Sequence, residues 1–301
     1  LLSVQEIAKF VYPFAQPQNL LTKSYSNHNL LGQKKACIFA HEYASMMKRY
    51  FIELAYNGKN YHGWQMQPNA SSVQDTIQQA LNTLLRKSVV ITGCGRTDTG
   101  VHAHQFFAHF DFNLDESGYT CNQLAYKLNH LLDKDIAIIR IFEVNEQAHS
   151  RFDALSRTYK YRLRIDKWPF EQETTYLSSF PRLNFTLMNE AASILFEYTD
   201  FSSFSKSGTD VKTNNCMIMH AQWKKENEVW VFTIKADRFL RNMVRAIVGT
   251  LLEVGSGKIS LNDFRQIIES KKRSNAGWSV PAHGLSLFGL EYPQGLIPET
   301  A

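Results

Sequence analysis

The sequence predicts an α+β protein made of two mixed units, and three observations point there. Strand-like and helix-like stretches alternate along the chain, with no long run of either kind. The second half repeats the style of the first, although no repeat is visible residue by residue. The length, 301 residues, leaves room for about two domains at roughly 100–200 residues each.

Residues 1–46 mix short apolar patches with Gln, Asn, Ser and Pro and show no sustained period. The chain opens on Leu1, and Met46 and Met47 precede the first clear strand. The expectation is that the functional chain starts there, behind a poorly ordered extension or a translated upstream segment. Residues 50–56 read as a strand ended by Asn57-Gly58. Ser71 or Ser72 caps a helix whose inner face is Val73, Ile77, Ala80, Leu81, Leu84 and Leu85. A strand is expected over 89–92. Phe106, Ala108, Phe110 and Phe112 then alternate as the apolar face of another. A helix over 123–132 and a strand over 136–144 complete the first unit, residues 47–150.

The second unit, residues 151–295, begins after a junction near 147–156. Strands are expected over 159–165 and 229–236, with a closing strand over 285–292. Helices are expected over 187–198, from about 239 to 254, and from Ser260 onward. Gly255 and Gly257 suit a C-terminal cap. Residues 296–301 read as a tail.

A formal charge of +5, from 33 basic and 28 acidic residues, permits an anionic partner without requiring one. Cys37, Cys94, Cys121 and Cys216 form no C-x-x-C pair and match no zinc spacing, which favours free thiols. No apolar run approaches the roughly 20 residues of a membrane span, and no signal peptide is evident. The expectation is a soluble, cytoplasmic protein. A Walker loop, a complete dinucleotide fingerprint and a G-x-S-x-G elbow are all missing from the sequence. No bound cofactor and no metal is therefore expected, although His102, His104 and His109 lie close together.

Three features could carry chemistry. In Gly93-Cys94-Gly95-Arg96-Thr97-Asp98-Thr99-Gly100-Val101-His102-Ala103, glycines surround an Arg-x-Asp pair just after a strand. Asp98 either points into a cleft, kept ionised by an arginine, or closes an Asx-type turn. In Arg157-Thr158-Tyr159-Lys160-Tyr161-Arg162-Leu163-Arg164-Ile165, one strand face is basic and the other aromatic and apolar. That suits RNA phosphates and a stacked base, or equally a half-buried strand with a solvated side. Arg238, Arg241 and Arg245 would form one stripe on the expected 239–254 helix. Arg245 sits beside the core stripe and wants a carboxylate, Asp98 or another acid.

These motifs resemble the tRNA pseudouridine synthase A family. The likeness extends from about Arg49 to Pro293. It includes Tyr61-His62-Gly63-Trp64-Gln65, Ser72-Val73-Gln74, Arg151-Phe152-Asp153-Ala154, Asp200-Phe201-Ser202-Ser203-Phe204, Phe239-Leu240-Arg241-Asn242-Met243-Val244-Arg245 and Pro281-Ala282-His283-Gly284-Leu285. Thr99 stands where the family often has Ala, and residues 1–45 have no counterpart. The resemblance implies a pseudouridine synthase fold: two ferredoxin-like α+β halves, a continuous largely antiparallel sheet and a central basic cleft. It implies an isomerase acting on uridines 38, 39 and 40 in the anticodon arm of tRNA, working as a homodimer without a cofactor. It also implies Asp98 as nucleophile, with Arg96 and Arg245 in the catalytic set. Tyr159, Arg157, Lys160, Arg162 and Arg241 are the candidate substrate contacts. A non-catalytic RNA-binding module and a nucleoside glycosylase are the rival readings.

Overall fold

The computed structural model describes residues 47–206 and 212–299. The expectation for residues 1–46 lies outside them. The chain order is β1 (Lys48–Tyr56), α1 (Val73–Leu85), β2 (Thr92–Gly93), β3 (His102–Phe112), α2 (Cys121–Leu131) and β4 (Ile136–Val144). It continues with β5 (Ser156–Arg164), β6 (Tyr176–Leu177), α3 (Phe185–Ile194), β7 (Ile218–Glu226), β8 (Val229–Ala236), α4 (Met243–Gly255), α5 (Leu261–Ser270) and β9 (Leu285–Glu291). The strands form one sheet in the order β4-β1-β3-β9-β5-β8-β7, with β2 on β3 and β6 on β5.

Two copies of one topology lie in that sheet. The path β1-α1-β2-β3-α2-β4 gives the order β4-β1-β3-β2, and β5-α3-β7-β8-α4-β9 gives β9-β5-β8-β7. Each is the βαββαβ arrangement of a ferredoxin-like unit. The class is α+β with a continuous, largely antiparallel sheet, as expected. β9 closes the second copy antiparallel to β5 and meets β3 in parallel through His102↔Ser286 and Ala103↔Leu287.

Local chemistry explains most boundaries. Ser72 accepts from the Asp75 N–H at the start of α1. Capping boxes at Thr120/Gln123 and Ser260/Asp263 start α2 and α5. The inner faces of the helices build two buried clusters. In one, α1 and α2 pack with β1 and β3; in the other, α3, α4 and α5 pack with β5, β7 and β8. β1 and β3 are covered on both faces, since Phe107 and Phe51 also meet Tyr292, at ring-centroid distances of 5.2 and 6.0 Å. Leu296 and Ile297 continue that cover, so the beginning of the expected tail is packed.

Four expectations shift. The strand over 89–92 is reduced to β2, because the Asn82 and Gln78 side chains of α1 accept the Val89 and Ile91 N–H groups. α3 ends at Ile194 and continues only as a 3₁₀ turn. β7 was not anticipated. α4 begins at Met243 rather than near Phe239, because Asn242 takes the left-handed conformation at φ +68°. Arg238 and Arg241 therefore precede the helix, and the three-arginine stripe does not exist.

Candidate active site

The glycine-rich loop crosses from β2 into β3, and the segment Tyr61-His62-Gly63-Trp64 grips it. Trp64 N–H donates to the Thr97 carbonyl (3.3 Å), and Gly100 N–H donates to the Tyr61 carbonyl (3.2 Å). Gly63 sits at φ +87°, and a Cβ there would lie 2.3 Å from the Thr97 carbonyl oxygen. Only glycine allows that approach. Below the loop, the Tyr56 and Thr97 hydroxyls share a 2.9 Å hydrogen bond. The indole of Trp64 stacks on Phe106 at 4.1 Å. The loop's own closing bond runs from Val101 N–H to the Asp98 carbonyl (3.1 Å), which leaves the Asp98 side chain free to face outward from the turn.

That side chain meets Arg245 from the first turn of α4. Arg245 Nη1 donates to Asp98 Oδ2 at 3.1 Å, and its Nε donates to the Val280 carbonyl at 2.8 Å. The Val280 anchor fixes the guanidinium before it reaches the carboxylate. The Asp98 side chain is 25% exposed and that of Arg245 20%, so the pair lies at a protected surface. Among the described residues, Asp98 Oδ1 makes no hydrogen bond.

Tyr159, on β5, is half-buried and packs edge-on to Phe239 at 5.1 Å. Burial pushes its phenol well above the ordinary value, and the Asp98 charge adds in the same direction. Its hydroxyl makes no hydrogen bond among the described residues.

The three neighbouring histidines diverge. His102 Nδ1 accepts from Gly58 N–H (3.0 Å), so the proton is on Nε2, which donates to the His283 carbonyl (3.0 Å). His104 packs on Phe288, while His109 bonds to Ser150. Among the described residues, no three His, Cys, Asp or Glu side chains converge as a metal site. Cys94 and Cys216 are buried thiols, pushed up to about 12 by that burial, and Cys121 is also unpaired by disulfide.

A family profile described as tRNA pseudouridine synthase matches residues 192–293. A Parabacteroides distasonis protein named tRNA pseudouridine synthase A is 57% identical over 253 residues, which cover 84% of this chain and 99% of that protein. A Bacteroides fragilis protein of the same name is 55% identical over 83% of this chain and 99% of its own length. One from Acetivibrio thermocellus is 41% identical over 82% of this chain and 100% of its own. The chain belongs to the tRNA pseudouridine synthase A family.

Among the residues this tRNA pseudouridine synthase A family member was expected to use, Asp98, Arg245 and Tyr159 come together. The others are placed differently. Arg157 is half-buried and spans backbone carbonyls: Nη1 donates to Ala154 (2.9 Å) and Asp237 (2.8 Å), Nη2 to Arg151 (2.5 Å) and Cys94 (3.4 Å). Lys160 and Arg162 lie on the face of β5 opposite Tyr159. There Lys160 sits 4.0 Å over Phe288, and Arg162 bonds Thr175 and Glu171. Arg96 and Arg241 are exposed and make no ion pair among the described residues. Arg151 and Arg238 likewise make none. Burial and the nearby positive charges of Arg96, Arg157 and Arg238 lower the Arg151 pKa, which marks a crowd of cations beside the loop. The Val280 carbonyl, the His102 bridge and Gly63 had no expected role. Gly63 and His102 lie inside dense motifs of the sequence, the one signal that marks them; Val280 carries none. Among the described residues, no helix is long and apolar enough to cross a membrane.

Proposed function

We infer that this chain isomerises uridine to pseudouridine in tRNA, with Asp98 as the catalytic carboxylate. One observation carries the reading. Arg245 holds one carboxylate oxygen of Asp98 while the other, Oδ1, is unbonded among the described residues and reachable from outside. The reaction breaks N1–C1′, turns the base and forms C5–C1′; C5 releases a proton, N1 gains one, and no electrons are exchanged. A carboxylate lone pair serves attack at C1′, attack at C6 or removal of the C2′ proton. All three need an accessible oxygen on a side chain that cannot rotate away.

The target nucleotide must leave its stack, at a cost of a few kcal/mol. Tyr159 stacks on the extruded ring and offsets roughly 1–3 kcal/mol of that cost. Arg157 acts as a positioning residue, tying the strand that carries Tyr159 to the Cys94 carbonyl of the loop that carries Asp98. Contact with the RNA backbone falls to Arg96, Arg151, Arg238 and Arg241, whose guanidinium groups make no ion pair among the described residues. The family resemblance supports uridines 38, 39 and 40 of the anticodon arm as targets, a homodimer as the working unit and the cytoplasm as its place.

Release of tritium from C5-labelled uridine in tRNA tests the reading. Wild type releases label without changing the RNA mass, and Asp98→Asn binds tRNA but releases none. Full release by the variant overturns the assignment. An abasic product would mean a glycosylase, and no release by wild type would mean a binding module.

A further inference from the structure

Beside the Asp98 loop lies a notch of about 250 Å³ that Asp98, Arg245 and Tyr159 do not line. One wall is the loop itself, at Gly93, Gly95 and Arg96, and the other is the turn at His149, Arg151 and Phe152. A Cβ at Gly95 would meet nothing within 4 Å, so this wall is open.

The opposite wall carries an unusual ring. Phe152 is 74% exposed, yet its backbone is tightly held. Asp153 N–H donates to the His149 carbonyl (3.1 Å), His149 N–H donates to the Asp153 carboxylate (2.7 Å), and Arg157 holds the Arg151 carbonyl. His149 Nδ1 accepts the N–H groups of both Arg151 (3.1 Å) and Phe152 (3.3 Å). The His149 ring then supports the Phe152 ring at 4.3 Å. A large apolar side chain held out on a hydrogen-bonded turn leaves most of its apolar surface in water. It suits a stacking platform, with its order supplied in advance. The Arg151 guanidinium lies 5.6 Å from the same ring, and neither Arg151 nor Arg96 makes an ion pair among the described residues. The notch is therefore aromatic on one side and cationic at its rims, the chemistry of a nucleotide site. Gly95 is three residues from Asp98, at most about 10 Å of chain. The notch thus borders the loop that carries Asp98.

Resting on the function inferred above, we propose that this notch seats the nucleotide next to the extruded uridine, its base stacked on Phe152 and its phosphate between Arg151 and Arg96. The site would grip the strand beside the reaction centre and hold the target in place as its base turns.

A double-mutant cycle between protein and RNA tests this. Full-length wild type, Phe152→Ala, Phe152→Leu and Phe152→Trp are assayed on anticodon stem-loop RNAs. In these the nucleotide 5′ or 3′ of the target uridine is either intact or abasic. Binding is read by fluorescence anisotropy and pseudouridine formation by tritium release. On intact RNA, Phe152→Ala and Phe152→Leu weaken binding roughly 5- to 150-fold, and Phe152→Trp retains it. On one of the two abasic RNAs, wild type loses the same factor and Phe152→Ala loses nothing further. An equal Phe152→Ala penalty on intact RNA and on both abasic RNAs overturns the site, as does wild-type affinity of Phe152→Ala for intact RNA. Failure of wild type to form pseudouridine on intact RNA instead overturns the function on which the proposal rests.

Discussion

Replacing Gly63 with alanine should separate the fold from the chemistry. The residue is at φ +87°, and its missing Cβ would stand 2.3 Å from the Thr97 carbonyl oxygen. A left-handed backbone costs alanine about 1–2 kcal/mol, and overpacking adds about 1–3 kcal/mol. The expected loss is thus roughly 2–5 kcal/mol, or about 5–15 °C in Tm for a chain of this size. An ordinary contact needs about 1 Å more separation than Gly63→Ala allows, so the loop at Thr97 must retreat by that much. Asp98 is the next residue, and its bond to Arg245 is already 3.1 Å long. A misplacement of about 1 Å at a reacting group costs on the order of 100-fold in rate. Tritium release should show kcat down about 100-fold in protein still folded by circular dichroism. Gly95→Ala, whose Cβ meets nothing within 4 Å, should keep the wild-type Tm. If Gly63→Ala melted with wild type and turned over within twofold of it, the claim that this glycine seats the catalytic loop would be wrong.

Other outcomes follow from the same contacts. Tyr159→Phe keeps the ring but removes a hydroxyl with no partner among the described residues; tRNA affinity should hold within about twofold, because stacking carries the contact, and equal kcat would exclude a role for the hydroxyl. Arg157→Lys cannot span four carbonyls and should lose about 2–4 kcal/mol by denaturant titration. In Arg157→Gln, which also removes the charge, the salt slope of tRNA binding should stay unchanged, whereas a slope lower by about one would make Arg157 a phosphate contact. Burial holds the His109 imidazole down to about 4, below its unfolded value, so the unfolded chain binds more protons between about pH 4 and 6.5. The His109 contribution to stability should therefore be constant above pH 7 and fall by about 1–2 kcal/mol as pH drops to 4, the partial solvent screening of the ring being allowed for. His102, His104, His149 and His283 are displaced the same way. His109→Gln should shrink the acid loss, and an unchanged profile would refute its part in it.

Much of this was legible in the residues because local and global preferences agree. The Ser72 and Ser260 caps, the apolar face of α1 and the alternation in β3 each follow from spacing alone. Asp98 was legible because glycines crowd around it, and Arg245 because a basic residue sits beside an apolar helical stripe. What failed was set by distant partners or by single backbone angles. Spacing gave Arg238 and Arg241 a helical stripe with Arg245, but the left-handed Asn242 delays the helix by a turn. The 89–92 run has strand composition, yet side chains from α1 satisfy its amides first. Arg157 lies in a basic strand pattern, and nothing local shows that the Cys94, Arg151, Ala154 and Asp237 carbonyls, two of them remote in sequence, converge on it. The repeated topology is invisible residue by residue because pairing order depends on which faces are apolar, and many residues satisfy that.

The repeated topology also explains how the proposed site is assembled. Asp98 comes from the first copy, while Tyr159 and Arg245 come from the second. Neither copy holds a complete site. β9 belongs to the second copy by pairing with β5, yet it also carries the two register pairs that hold β3. His102 adds a side-chain tie beside them, reaching the turn just before β9 through the His283 carbonyl. Arg157 adds another, from β5 to the Cys94 carbonyl. The loop bearing Asp98 is thus fastened to the second copy on both sides, at residue 94 before it and residue 102 after it. The Gly63 bracket and Arg245 hold the middle of the segment between. Such a frame suits the proposed reaction, in which the base detaches and turns while the sugar stays put and Asp98 serves both the bond that breaks and the bond that forms.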